Sequence, residues 1–299
     1  MSRANSSPEH APSVASDYYN ILKPRITFLV LITMLAGSIL AADGPLDWII
    51  VLHALIGTAL ASGGTAALNQ YMERDVDAHM RRTENRALPR GRLTARSVLI
   101  YGLAISVAGV GYLYLTVNLL TAAVTAFTIV SYLLIYTPSK RVTWLSTLIG
   151  AVPGALPPVI GWTAIRNDLG LEAWALFAIV FFWQIPHFLA IAWMYRADYA
   201  RAGFPMLPVI DPDGFRTGRH IMINCVFLLA VSIAPSVMGL TGNLYLYGTI
   251  AIGIGFLAFG IAAARTRTNL SAKRLLLASI VYHPILLALI MLDTVKGPF

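Results

Sequence analysis

Asn69, Glu73 and Asp77 stand at positions i, i+4 and i+8, where a long apolar stretch gives way to charge. On an α-helix that spacing stacks an amide and two carboxylates on one face. A helix C-terminal end is itself partly negative, so the dipole and mutual repulsion both oppose such a pair. Something positive has to compensate. One reading is a solvated helix end, with Arg81 and Arg74 neutralising Glu73 and Asp77. The other is a hard-cation site, because Mg2+ accepts one or two carboxylates together with waters and substrate phosphate oxygens. Asp75 points roughly away from Glu73 and stays outside that set. Arg81, Arg82, Arg86, Arg90 and Arg92 follow. They suit a phosphate-bearing anion, but a cytoplasmic membrane loop would carry such residues anyway. On this reading Arg81 and Arg82 are the diphosphate candidates, and Arg86, Arg90 and Arg92 determine topology.

A second stretch, "WQIPHFLAIAWMYRADYARAGFPMLP" at 183–208, sets Asp198 between Arg196 and Arg201. A third, "YTPSKR" at 136–141, offers Lys140 and Arg141. Two acid-plus-arginine loops on one side of a membrane could hold a metal-bridged diphosphate between them. His187 precedes Asp198 by three helical turns, roughly 16 Å along an axis, and has Phe181, Phe182, Trp183 and Phe188 as neighbours. An ionisable side chain at membrane depth is a functional candidate; the alternative is a hydrogen-bonded core histidine. His283 is a weaker candidate of the same kind. His53 lies far from the acids, His79 among solvated charges, and His10 and His220 need no role.

The elements that must position these residues are membrane helices. The chain is 57% hydrophobic and 12% charged, about half the charge of an ordinary soluble domain. Nine apolar stretches are predicted, at 26–42, 48–72, 97–115, 118–136, 144–163, 171–194, 220–240, 243–264 and 275–293. Each can cross a hydrocarbon layer of roughly 30 Å, which predicts an all-α, polytopic protein in the lipid bilayer. With the N-terminus cytoplasmic, 20 of the 22 Lys and Arg fall on the inner side, leaving Arg166 and Lys296 outside. The positive-inside rule then puts the C-terminus outside. The net charge of +8 is thereby explained without nucleic acid. Residues 1–20 read as a disordered cytoplasmic leader and 21–299 as a single membrane domain. The one cysteine, Cys225, rules out an internal disulfide.

Two inner loops, 73–96 and 195–219, are long and separated by four spans, suggesting two four-helix units plus a final helix. The fifth span holds Gly150, Pro153, Gly154, Pro157, Pro158 and Gly161. It is either a kinked packing helix or a break that widens a chamber. The small residues of "ASGGTAA", 61–67, permit close helix approach.

The chain resembles the UbiA superfamily of intramembrane prenyltransferases. Asn69, Glu73 and Asp77 match that family's first Asn-x-x-x-Asp/Glu-x-x-x-Asp motif. "LKPRI" at 22–26, "RTENRALPRG" at 82–91, "YTPSKR", "PPVIGW" at 157–162 and "WQIPHF" at 183–188 are similar to its haem-specific branch, the protohaem IX farnesyltransferases. The second motif departs from the family's multi-aspartate pattern, since "YRADYARAG" at 195–203 offers only Asp198, so the second loop binds its own metal or only supports the first loop.

The resemblance implies a UbiA-like bundle in a bacterial inner membrane and transfer of farnesyl from farnesyl diphosphate to a vinyl group of haem b. Mg2+ would sit on Asn69, Glu73 and Asp77, with Asp198 catalytic. Arg81, Arg82, Lys140, Arg141 and Arg196 would face the diphosphate, and His187 the haem. A haem-A synthase or a terminal oxidase under assembly would take the product. A prenyltransferase acting on an aromatic or quinone precursor, a multi-span transporter and a haem electron carrier using His187 and His283 stand as alternatives. Charges at the inner surface rather than the midplane argue against the transporter.

Overall fold

The computed structural model describes residues 13–295. Its helices are α1 (Val14–Ile21), α2 (Pro24–Ala41), α3 (Trp48–Asp77), α4 (Ala95–Thr116), α5 (Leu119–Val130), α6 (Thr137–Ser139), α7 (Ser146–Gly154), α8 (Pro157–Arg166) and α9 (Leu171–Met194). They continue with α10 (Arg196–Arg201), α11 (Leu207–Ile210), α12 (Phe215–Ser232), α13 (Ala234–Val237), α14 (Asn243–Thr266) and α15 (Asn269–Leu292). A π-helical turn, Ser131–Tyr136, joins α5 to α6. Among the described residues nine helical segments are long and apolar enough to cross a membrane, matching the nine predicted stretches. The seventh and ninth begin earlier than predicted, at Phe215 and Asn269. Their first two turns carry Arg216, Arg219, Lys273 and Arg274, whose long side chains can reach water while the backbone stays helical.

The predicted leader is corrected from residue 14 onward. Ser13 caps α1 by accepting from the Ser16 amide at 3.2 Å. Asp17, buried on this helix, accepts from Arg92 Nε at 2.8 Å and Nη2 at 3.0 Å. Gln70 Nε2 donates to the Ile21 carbonyl at 2.8 Å. These partners lie far along the chain, so local composition does not reveal them. Residues 1–12, with Arg3, Glu9 and His10, and Lys296 lie outside the described residues.

Glycines set how closely the spans approach. A Cβ at Gly64 would come within 2.7 Å of the Ser106 amide nitrogen, and one at Gly109 within 2.6 Å of the Ala61 nitrogen. α3 and α4 therefore meet backbone to backbone, as the small-residue stretch predicted. α2 and α8 meet in the same way, the Pro158 carbonyl occupying the place of a Gly37 Cβ.

The fifth span breaks between α7 and α8. Beside the break, the Ala151 carbonyl takes the Ala155 amide at 3.1 Å and Gln184 Nε2 at 2.8 Å, which ties α9 to the end of α7. Gly150, Pro153, Gly154 and Pro157 line a cavity, so the break shapes a chamber as well as a packing contact. The helices group differently from the expected repeat. α9, α12, α14 and α15 pack as a closed ring, while α8 packs on α2 and α5, and α7 sits between α9 and the end of α5. α15 closes its ring because Tyr282 bonds Ser232 at 2.9 Å and packs on Phe256.

Candidate active site

One cavity of about 960 Å3 runs from the α1–α2 junction and the 73–96 loop to the middle of α9 and α15. Its first end is polar. α3 continues to Asp77, so Asn69, Glu73 and Asp77 share one face as predicted, and all three are buried and line the cavity.

Each of the three holds its own cation. Lys23 Nζ donates to Asn69 Oδ1 at 3.4 Å, Lys140 Nζ to Glu73 Oε1 at 2.7 Å, and Arg86 Nη1 to Asp77 Oδ2 at 2.6 Å. The expected partners are thus replaced: Arg74 pairs with exposed Asp75 at 3.7 Å instead. Asn69 Nδ2 donates to Thr137 Oγ1 at 3.2 Å, leaving the amide oxygen turned to Lys23. Thr83 Oγ1 donates to the Asp77 carbonyl at 2.9 Å, folding the loop back so that Arg86 can reach Asp77. Burial disfavours the Lys140 ammonium, but Tyr136 and the Glu73 carboxylate outweigh it, and its pKa is raised. Lys140 also lies 4.4 Å from the centroid of the Tyr136 ring. The π-helical turn brings Tyr132 and Tyr136 to the cavity wall with ring centroids 5.1 Å apart, a placement in keeping with π-turns at functional sites.

Two buried carboxylates and an amide oxygen, all drawing in positive charge, fit a hard divalent cation. Among the described residues there is no cluster of three or more His, Cys, Asp or Glu side chains able to cage a metal. The donor set suits an ion that completes its shell with water and substrate oxygens.

The other predicted residues divide. Arg82 and Lys140 line the cavity; Arg81, Arg141, Arg196 and Asp198 do not. Asp198 pairs with Arg201 one helical turn away. Arg196 Nη1 donates to Asn269 Oδ1 at 2.9 Å, and its guanidinium lies 4.8 Å from the Trp193 ring centroid. Arg141 Nη2 donates instead to the Met72 carbonyl, at 3.4 Å. Conversely, Arg86 moves from topology determinant to cavity wall, and Arg92 becomes the anchor of α1. Lys23 escaped sequence reasoning apart from its place in "LKPRI"; its φ of 50° before Pro24 marks it as a shaped turn.

The far end is aromatic. His187 Nδ1 bonds Ser279 Oγ at 2.7 Å, and Trp183 Nε1 donates to the Ser279 carbonyl at 3.0 Å. His283 Nε2 bonds Thr33 Oγ1 at 2.9 Å. Trp183 stacks on both imidazoles, with centroids 5.2 Å from His187 and 4.3 Å from His283. Trp183, His187 and His283 line the same cavity as the acids.

The chain matches the UbiA prenyltransferase family over residues 30–282. It belongs to that family. It is 48% identical over 286 residues to a protein from Solibacter usitatus named protoheme IX farnesyltransferase, covering 93% of this chain and 98% of that one. A protein of the same name from Koribacter versatilis is 44% identical over 295 residues, covering 94% and 95%.

Among solved structures, this UbiA family member is similar to a digeranylgeranylglyceryl phosphate synthase, with a TM-score of 0.80 and 13% identity over 94% of this chain and 99% of that one. It is also similar to a UbiA homologue from Archaeoglobus fulgidus bound to GPP and Mg2+, with a TM-score of 0.65 and 15% identity over 92% and 99%. These structural likenesses carry the fold. The transporter and electron-carrier alternatives give way to a membrane prenyltransferase.

Proposed function

We propose that this chain transfers the farnesyl group of farnesyl diphosphate to a vinyl group of haem b, giving the hydroxyethylfarnesyl side chain of haem O. The observation that carries this reading is a single cavity joining the paired acids at Glu73 and Asp77 to the aromatic end at Trp183 and His187. The 48% identity with a protoheme IX farnesyltransferase supports the choice of substrates.

Glu73 and Asp77, supported by Asn69, would hold Mg2+. When bound, the ion supplies positive charge to the diphosphate as its bond to the farnesyl carbon breaks. Lys23, Arg82, Arg86 and Lys140 line the same end and would donate to the phosphate oxygens, a preorganised clamp that strengthens where water is excluded. The faces of Tyr132 and Tyr136 would shelter the allylic cation. His187 would ligate the haem iron as a neutral imidazole, with Trp183 packed beside the macrocycle. The terminal vinyl carbon bonds the farnesyl carbon as diphosphate leaves, and water adds to the cation formed on the ring-side carbon. Asp198 and Arg196 would serve by ordering the second loop rather than by touching substrate.

The bias of 20 of 22 Lys and Arg to one side supports a cytoplasmic N-terminus in a bacterial inner membrane, with the polar end of the cavity facing the cytoplasm. The product would pass to a haem-A synthase or to a terminal oxidase under assembly. Haem extracted from membranes of cells overproducing the chain tests the reaction. A farnesylated, hydroxylated haem should accumulate; unmodified haem b alone, beside a prenylated aromatic acceptor, would contradict it.

A further inference from the structure

The hydrogen bonds around His187 fix more than its position. Ser279 Oγ has one proton and two close partners: the Leu276 carbonyl at 2.6 Å and His187 Nδ1 at 2.7 Å. The carbonyl can only accept, so a contact that short takes the serine proton. The same oxygen must then accept from His187, which places the imidazole proton on Nδ1. Nε2 is left with its lone pair. Trp183 secures the ring plane, stacking on His187 at an interplanar angle of 27° while its Nε1 bonds the Ser279 backbone. Ser279 is fully buried, at 0% exposure, so bulk water does not compete for its hydroxyl.

His283 shows that the arrangement at His187 is selective. Thr33 Oγ1 likewise donates to the Leu29 carbonyl at 2.9 Å while contacting His283 Nε2 at 2.9 Å. By the same inventory His283 carries its proton on Nε2 and its lone pair on Nδ1. The two histidines are thus held in opposite tautomers. Only His187 presents the nitrogen remote from its own backbone, the less hindered one for a bulky metal complex.

We infer that Ser279 is a positioning residue that holds His187 in its Nδ1–H form, so that Nε2 is kept ready to ligate the iron of haem b. This rests on the proposed haem-acceptor reading. A hydrogen bond from the remote ring N–H makes a ligating imidazole more basic, and losing such a partner costs about 10–100-fold in metal affinity. A more basic ligand favours ferric iron, so its loss raises the midpoint potential.

The test titrates haem b into the full-length protein in lipid nanodiscs and follows the Soret band and the midpoint potential. Ser279→Ala should weaken haem binding about 10–100-fold, shift the Soret band and raise the potential. Ser279→Thr, which keeps the hydroxyl, should restore all three towards the values of the unaltered protein. Affinity for farnesyl diphosphate, measured in the same samples, should stay unchanged and thereby report an intact fold. If His187→Ala changes the haem spectrum but Ser279→Ala changes neither spectrum nor potential, the positioning role is wrong while the ligand role survives. If haem binding is unaffected by His187→Ala, both fall. If Ser279→Thr behaves like Ser279→Ala, the hydroxyl is not the operative group and the inference is overturned.

Discussion

Lys140 Nζ lies 2.7 Å from Glu73 Oε1 inside the cavity, with only 15% and 10% of the two side chains exposed. A buried pair of this kind is stable only while both partners remain, because removing one strands an uncompensated charge. On the proposed reading, a metal ion arriving at Glu73 and Asp77 would compete with Lys140 and Arg86, and the displaced cations would then be available to a diphosphate.

Neutralising the acids should therefore separate them from their neighbour. Asp77→Asn or Glu73→Gln should lower farnesyl transfer by at least about 100-fold, in the range seen when a preorganised charge is removed from a transition state. Asp75→Asn should do far less, since Asp75 is exposed and pairs with Arg74. Initial rates on membrane-inserted protein check this; equal losses at all three positions would point to a general charge effect.

The cations should sort by the cavity wall. Lys140→Met, Lys23→Met or Arg86→Gln should raise the Michaelis constant for farnesyl diphosphate about 10–100-fold, the equivalent of one lost hydrogen bond to a charged group. Arg141→Gln and Arg81→Gln should leave it within about two-fold, because neither side chain reaches the cavity. Steady-state kinetics at saturating haem measures both sets.

Much of this site is legible in the sequence. The i, i+4, i+8 face of Asn69, Glu73 and Asp77 depends on helical periodicity alone, and α3 keeps that periodicity to Asp77. The nine spans follow from hydropathy, which lipid enforces over whole segments. What periodicity cannot give is the pairing between segments. Arg81 and Arg86 look alike in sequence, yet the turn held by the Thr83 bond to the Asp77 carbonyl selects Arg86. Asp198 looks equivalent to the first acids, but Arg201 on the next turn satisfies it locally. Asp17 looks like part of an unstructured leader because its partner, Arg92, is 75 residues away.

That last pair makes α1 a testable strap over the cavity mouth, where Asp17 and Arg92 both form part of the wall. Arg92→Gln should speed amide hydrogen exchange in 14–21 by about 10-fold or more, the opening cost falling by at least about 1.4 kcal/mol. Exchange in α12 to α15 should not change. Uniform acceleration across the protein would show a global loss of stability instead.

Orientation is open to a direct check. A reporter fused after Asp168, in the loop between α8 and α9, should behave as external, and one fused after Arg201 as cytoplasmic. The prediction rests on the cation bias, and the reverse pattern would invert the side from which diphosphate enters.

The most direct measurement supplies purified protein with farnesyl diphosphate, Mg2+ and haem b and identifies the product by mass. Haem b should gain one farnesyl group and one hydroxyl, with one diphosphate released per haem consumed, and the gain should vanish in the Asp77→Asn protein. Diphosphate release without any change in haem mass, or prenylation of an aromatic acid in preference to haem, would contradict transfer to haem b.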